Sequence, residues 1–126
     1  MTLIADSGLL IALLDRLDQF HSWAVGVVDR EEPPFLVCEA VCAEVAAVIG
    51  TPDPVLAMLQ SGDLQLAFAL EEEVQAIRKL TLGYQDQPMD LADACVVRMA
   101  EIFPVCRVFT VDRKDFSVYR RCGKKA

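Results

Sequence analysis

The sequence has very little histidine, no Cys-x-x-Cys pair and no long hydrophobic run. A structural zinc site needs about four Cys or His ligands, and His21 with five scattered cysteines does not provide that pattern. The longest apolar run, residues 8–14, is about a third of the roughly 20 residues that a membrane span requires. No basic segment precedes an apolar stretch with a cleavage site, as in a signal peptide. We therefore expect a cytoplasmic protein with reduced thiols, no zinc and no membrane association.

The chain is short but rich in hydrophobic residues. Its 126 residues are 54% hydrophobic, which suits one domain with a core that needs neither disulfides nor structural metal. It contains no repeat, low-complexity tract or long linker. We expect a single domain that spans residues 1–126.

Charge is distributed unevenly along the chain. The net charge of -7 argues weakly against an RNA-binding protein, because phosphate contacts favour positive charge. Residues 113–126, however, carry six basic side chains and one acid, whereas residues 1–112 carry six basic and eighteen acidic ones. The basic end has two interpretations: a contact for RNA phosphates or a solvated tail, and charge alone favours the tail.

Short apolar segments alternate with helical patterns. We predict strands at residues 2–5, 35–37, 64–69, 105–111 and 118–119, and helices at 9–14, 19–29, 39–49, 54–60, 71–82 and 90–103. Residues 6–8 and 112–115 are predicted turns. Strands that alternate with helices indicate a parallel sheet covered on both faces, with its ligand site beyond the carboxyl ends of the strands.

Two aspartates follow predicted strands. Asp6 follows the first strand, and Asp112 follows the strand at 105–111. If both strands are central and parallel, both carboxylates emerge at the same edge of the sheet. Each residue also has a plain structural interpretation, because Asp commonly begins a turn.

Two further acids lie beside apolar helical faces. Glu44 borders the stripe formed by Val41, Val45, Val48 and Ile49, whereas Glu39 lies on the opposite, solvated side. Asp93 lies on an apolar stripe, where an ionised carboxylate is costly unless it is paired, protonated or bound to metal. A capping interaction between Asp90 as N-cap and Asp93 is the structural alternative.

Four carboxylates in one cleft would repel one another. At about 5 Å and an effective dielectric constant of about 20, each pair costs roughly 3 kcal/mol. Either some carboxylates are protonated or a cation lies among them. Ligation by oxygen alone suits Mg²⁺ or Mn²⁺.

The sequence resembles PIN-domain proteins, and in particular the VapC-like toxins of type II toxin–antitoxin modules. The matching stretches are Ile4-Ala5-Asp6-Ser7-Gly8, the Glu44 helix, Met89-Asp90-Leu91-Ala92-Asp93-Ala94 and Phe109-Thr110-Val111-Asp112-Arg113-Lys114-Asp115-Phe116. They occur in the family's order over almost the whole chain. The four acidic positions of the family fall on Asp6, Glu44, Asp93 and Asp112, while Ser7 and Thr110 also fit its pattern.

The resemblance implies a fold, an activity and partners. The fold would be a three-layer α/β/α sandwich with a central parallel sheet, PIN-like and Rossmann-like. The activity would be Mg²⁺- or Mn²⁺-dependent cleavage of RNA, with Asp6, Glu44, Asp93 and Asp112 as catalytic and metal-binding residues. The protein would be a homodimer inhibited by a cognate antitoxin.

Two other functions remain open. One is a non-catalytic PIN scaffold that acts through protein contacts. The other is a phosphoryl-transfer domain with Asp6 as nucleophile. The phosphatase pattern Asp-x-Asp is missing because Gly8 holds its second position, and no suitably placed late-strand lysine supports a receiver domain.

Overall fold

A computed structural model describes residues 1–83, 89–112 and 117–122, with side chains described up to residue 111. The strands are β1 (Thr2–Ala5), β2 (Phe35–Val37), β3 (Leu64–Leu66), β4 (Cys106–Asp112) and β5 (Ser117–Cys122). The helices are α1 (Ser7–Leu14), α2 (His21–Arg30), α3 (Glu39–Ile49), α4 (Asp53–Ser61), α5 (Val74–Gly83) and α6 (Leu91–Ile102). A 3-10 turn at Leu70–Glu73 precedes α5.

The five strands form one sheet in the order β3-β2-β1-β4-β5. The first four are parallel, and β5 is antiparallel to β4 at one edge. The central strands β1 and β4 are paired so that Ala5 lies opposite Phe109. The parallel sheet and its flanking helices confirm the expected PIN-like α/β/α fold.

Local sequence signals account for most of the element boundaries. Strand β1 is a run of apolar residues, and its last three are buried in the core. Helices α3 and α4 end at Gly50 and Gly62, whose φ angles of 97° and 90° are left-handed conformations that favour glycine. Asp90 accepts a hydrogen bond from the first turn of α6 and so begins that helix.

Several predicted boundaries are wrong. Residues 6–8 are not a turn, because Asp6 is the N-cap of α1 and Ser7 already belongs to the helix. The third strand ends at Leu66 rather than at residue 69, and the acids at 71–73 lie in the 3-10 turn. Asp112 is the last residue of β4 rather than the start of a turn, while the rest of that predicted turn lies outside the described residues.

The described part of the chain has free thiols and short helices. No disulfide joins Cys38, Cys42, Cys95 and Cys106, and three of these four side chains are buried. His21 packs α2 against α1 through a 2.7 Å hydrogen bond between its Nδ1 and the carbonyl oxygen of Ala12. Within the described ranges, no helix is both long enough and apolar enough to cross a bilayer.

Candidate active site

The carboxyl ends of the two central strands meet at one edge of the sheet. Asp6 follows β1 directly, and Asp112 is the last residue of the neighbouring strand β4. The parallel register between Ala5 and Phe109 brings the residues that follow them to the same edge. This is the edge where ligands bind in open parallel sheets, as the sequence predicts.

Three hydrogen bonds hold Asp6 in place. Its backbone N–H donates to the carbonyl oxygen of Phe109 at 3.2 Å. Its Oδ1 accepts from the backbone N–H of Ser7 at 2.7 Å, which caps α1, and its Oδ2 accepts from the Thr110 hydroxyl at 2.7 Å. Both carboxylate oxygens therefore have a fixed direction, and β4 supplies two of the three contacts.

Asp93 is close enough to Asp6 for their charges to interact. The pKa of the Asp93 carboxyl is raised to about 6. Desolvation by the surrounding protein is the largest cause, and the negative charges of Asp90 and Asp6 add to it. The predicted burial of Asp93 is wrong, because the side chain remains exposed at the start of α6. A helical projection identifies a face of a helix but not how far the neighbouring elements extend over its first turn.

The capping interaction is also present. The backbone N–H of Asp93 donates to Oδ1 of Asp90 at 2.8 Å, which confirms Asp90 as the N-cap of α6. The backbone N–H of Asp93 thus takes part in capping α6, and its carboxyl group lies near the negative charge of Asp6. The two interpretations of this residue are compatible.

Glu44 lies on α3 in a half-buried position between Val41 and Val45, which are buried, and Glu39 is exposed as predicted. In the described part of the chain, Glu44 makes no hydrogen bond or ion pair. Nor do residues 1–83 and 89–111 bring any three His, Cys, Asp or Glu side chains close enough to share a metal ion. The predicted meeting of Glu44 with Asp6 and Asp93 therefore stays a prediction, as does the role of Asp112, whose side chain lies outside the description.

Two buried thiols, Cys38 and Cys95, interact with each other, and this pairing was not anticipated from the sequence. Cys38 precedes α3, Cys95 lies in α6, and their side chains interact by a hydrogen bond. Burial raises the pKa of both thiols, that of Cys95 to about 11, and the negative charge of Asp6 contributes to the rise at Cys38. Thiols held protonated in this way are packing groups and poor nucleophiles.

The donors at this edge fit a hard cation by their chemistry. Asp6 and Asp93 bring two negative charges together, and the described ion pairs supply no lysine or arginine to either. Carboxylate oxygens are the ligands that Mg²⁺ and Mn²⁺ prefer. Asp6 and Asp93 are the described residues that could hold such an ion, with Asp112 at the same edge through its backbone position.

The sequence matches no protein-family model. It is similar to Ribonuclease VapC26 of Mycobacterium tuberculosis (strain ATCC 25618 / H37Rv), with 28% identity over 127 residues that cover 96% of this chain and 94% of that protein. The similarity therefore extends over nearly the full length of both proteins.

The fold and the paired strand ends define a protein of the PIN-like α/β/α class. The full-length similarity to a VapC protein supports the VapC-like resemblance that the sequence motifs indicated.

Proposed function

We propose that this protein is a metal-dependent endoribonuclease and the toxin of a type II toxin–antitoxin module. The observation that carries the proposal is the full-length similarity to a protein named as a ribonuclease. The acidic edge supports it, because Asp6 and Asp93 bring negative charge to the edge where a parallel sheet binds its ligand, and no ion pair among the described side chains neutralises them.

The residues have distinct parts in the proposed reaction. Asp6, Asp93 and Asp112 would hold Mg²⁺ or Mn²⁺ most directly, and Glu44 would complete the site directly or through water. When bound, the ion supplies Lewis acidity toward the scissile phosphate and lowers the pKa of water. Thr110 and the start of α1 hold the carboxylate of Asp6 in a fixed orientation. No serine, histidine or cysteine nucleophile is required.

RNA binding by an acidic protein needs local positive charge. The basic residues from Arg113 onward follow Asp112 directly in the sequence. We propose that they hold RNA phosphates next to the carboxylates. Neutralising Arg120, Arg121, Lys124 and Lys125 together should weaken RNA binding and reduce the slope of affinity against salt concentration. An unchanged slope would return this segment to the solvated-tail interpretation.

A cleavage assay with matched variants tests the activity. The purified protein, free of antitoxin, should cut RNA with Mg²⁺ or Mn²⁺ and stop on addition of EDTA. Asp6→Asn keeps an N-cap residue of equal quality at α1 but removes the charge, so it should fold and lose at least about 100-fold in rate. Asp93→Asn should lose a similar amount.

The control for both variants is Asp29→Asn, because Asp29 is an exposed acid of α2. It should cut RNA like the wild type. Cleavage that survives both Asp6→Asn and Asp93→Asn would reject the proposed site. A folded protein that neither cuts RNA nor binds Mn²⁺ would favour the non-catalytic scaffold, and a phosphoaspartate trapped at Asp6 would favour phosphoryl transfer.

The proposed partners are a cognate antitoxin and a second copy of the chain. A neighbouring gene for a short protein with a DNA-binding start and a basic, amphipathic C-terminal half would encode the antitoxin. Co-expression should yield a stable complex in which RNA cleavage is blocked. Sedimentation of the isolated protein should give twice the mass of 13.9 kDa for a homodimer.

A further inference from the structure

The Thr110 hydroxyl forms the longest-range side-chain hydrogen bond at the acidic edge. Its Oγ1 donates to Oδ2 of Asp6 at 2.7 Å across 104 residues of sequence. Thr110 is 6% exposed and is the one buried polar residue identified among the described side chains. A buried hydroxyl with a short bond to a carboxylate has a fixed orientation, and so does its partner.

The contacts of Asp6 leave part of its carboxylate available. A carboxylate has about four lone-pair sites on its two oxygens. The backbone N–H of Ser7 uses one on Oδ1, and Thr110 uses one on Oδ2. Among the described residues no further hydrogen bond reaches Asp6, so one site on each oxygen remains, and the two bonds fix which sites these are.

The donor to Oδ2 of Asp6 is a neutral hydroxyl rather than a charged group. A lysine or arginine could hold Oδ2 equally well, but it would neutralise the charge that attracts a cation. The threonine hydroxyl is neutral, so it orients Asp6 and leaves the negative charge in place. The described ion pairs likewise bring no basic side chain to Asp6.

From this arrangement we infer that Thr110 is a positioning residue that sets the affinity of the acidic edge for a divalent cation by fixing the carboxylate plane of Asp6. The inference rests on the proposed metal-dependent function. Partners that orient metal ligands in this way typically change metal affinity by about 10- to 100-fold when they are removed.

Three variants of the full chain test this role. Thr110→Val keeps the shape and suits a strand but removes the hydroxyl, and Thr110→Ser keeps the hydroxyl. Thr81→Val is the matched control, because the Thr81 hydroxyl is also hydrogen-bonded, to carbonyl oxygens of Ile77 and Arg78 within α5. Mn²⁺ dissociation constants are measured by calorimetric titration, and folding is measured by thermal denaturation without metal.

Thr110→Val should weaken Mn²⁺ binding by about tenfold or more, while Thr110→Ser should stay within about threefold of the wild type and Thr81→Val should be unchanged. RNA cleavage by Thr110→Val should be partly restored by a higher Mn²⁺ concentration. A merely structural hydroxyl would lower the melting temperature without changing Mn²⁺ affinity, and that result would overturn the inference.

The two proposals fail in different ways. Wild-type protein that binds Mn²⁺ together with Thr110→Val that binds it equally well would overturn the role of Thr110 alone. Wild-type protein that binds no Mn²⁺ would overturn both that role and the proposed metal site. If Thr110→Val does not fold, Thr110→Cys replaces it, since a thiol is a weaker donor than a hydroxyl and should give weaker binding than Thr110→Ser.

Discussion

Replacement of Asp93 by asparagine should make the metal-free protein more stable at neutral pH while it abolishes activity. The pKa of Asp93 is raised to about 6 by desolvation and by the charges of Asp90 and Asp6, from an ordinary value of 3.8. An aspartate whose pKa is higher in the folded state binds a proton more tightly on folding. Its contribution to stability is therefore fully present below pH 4 and is lost as the pH rises through about 6.

The size of this effect follows from the same pKa difference. A rise from 3.8 to about 6 corresponds to about 3 kcal/mol for a group fully shielded from solvent. Asp93 is exposed, so solvent screening reduces the expected contribution to about 1 kcal/mol. The stability of Asp93→Asn relative to wild type should therefore rise by about 1 kcal/mol between pH 4 and pH 7.5.

Urea denaturation at several pH values, in EDTA, measures this difference. The matched control is Asp53→Asn, because Asp53 is an exposed acid in the first turn of α4. That variant should show no such rise. A difference between Asp93→Asn and wild type that stays flat or falls with pH would refute the idea that negative charge is concentrated at the start of α6.

Binding of Mg²⁺ should reverse which of the two proteins, wild type or Asp93→Asn, is the more stable. At a Mg²⁺ concentration about 100 times the dissociation constant, the wild type should gain about 2.7 kcal/mol, since the ion binds the folded state. Asp93→Asn lacks one proposed ligand and should gain much less. The variant should therefore be the more stable protein in EDTA and the less stable one in Mg²⁺ at pH 7.5.

Three further results are expected. Gly8→Ala should lower stability by about 1–3 kcal/mol in urea denaturation, because the added Cβ would lie 3.1 Å from a backbone nitrogen of β4. The control Gly83→Ala should be nearly neutral, because its added Cβ would have nothing within 4 Å. Equal effects of the two changes would contradict the close packing of α1 on β4. Arg107→Met should cost about 2 kcal/mol, since it leaves the mostly buried Glu31 carboxylate without its bidentate partner, and Arg107→Met with Glu31→Leu should cost less than the sum of the single changes. In a timed alkylation followed by mass spectrometry, half-buried Cys42 should react before the buried thiols, although burial raises its pKa to about 11; earlier labelling of a buried thiol would contradict the packing.

Local patterns in the sequence predicted the strands and helices that depend on nearby residues. Strands β1 and β2 and helix α3 have the predicted boundaries, because apolar runs, Pro33-Pro34 and Gly50 mark them. The start of α1 was misplaced because an Asp-Ser-Gly segment is typical of a turn and also of a helix N-terminus. Only the packing of Gly8 against β4 distinguishes the two.

The site depends on contacts that have no local signal. The order of the acids and the rule for parallel sheets predicted that Asp6 and Asp112 share one edge. The bond from Thr110 to Asp6 depends on the register of β1 and β4, and the Arg107–Glu31 pair joins residues 76 positions apart. Such pairs cannot be predicted from spacing along the chain. The exposure of Asp93 likewise depends on which elements pack over the start of α6, and a helical projection does not contain that information.

We propose that carboxylates distant in sequence converge to hold divalent metal at the carboxyl edge of the sheet. Crystals soaked in Mn²⁺ test it by anomalous scattering, which locates the metal independently of activity. We expect a peak within about 2.5 Å of carboxylate oxygens of Asp6 and Asp93 at the carboxyl edge of β1 and β4. No peak at that edge at saturating Mn²⁺, or a peak bound by other residues, would contradict the claim.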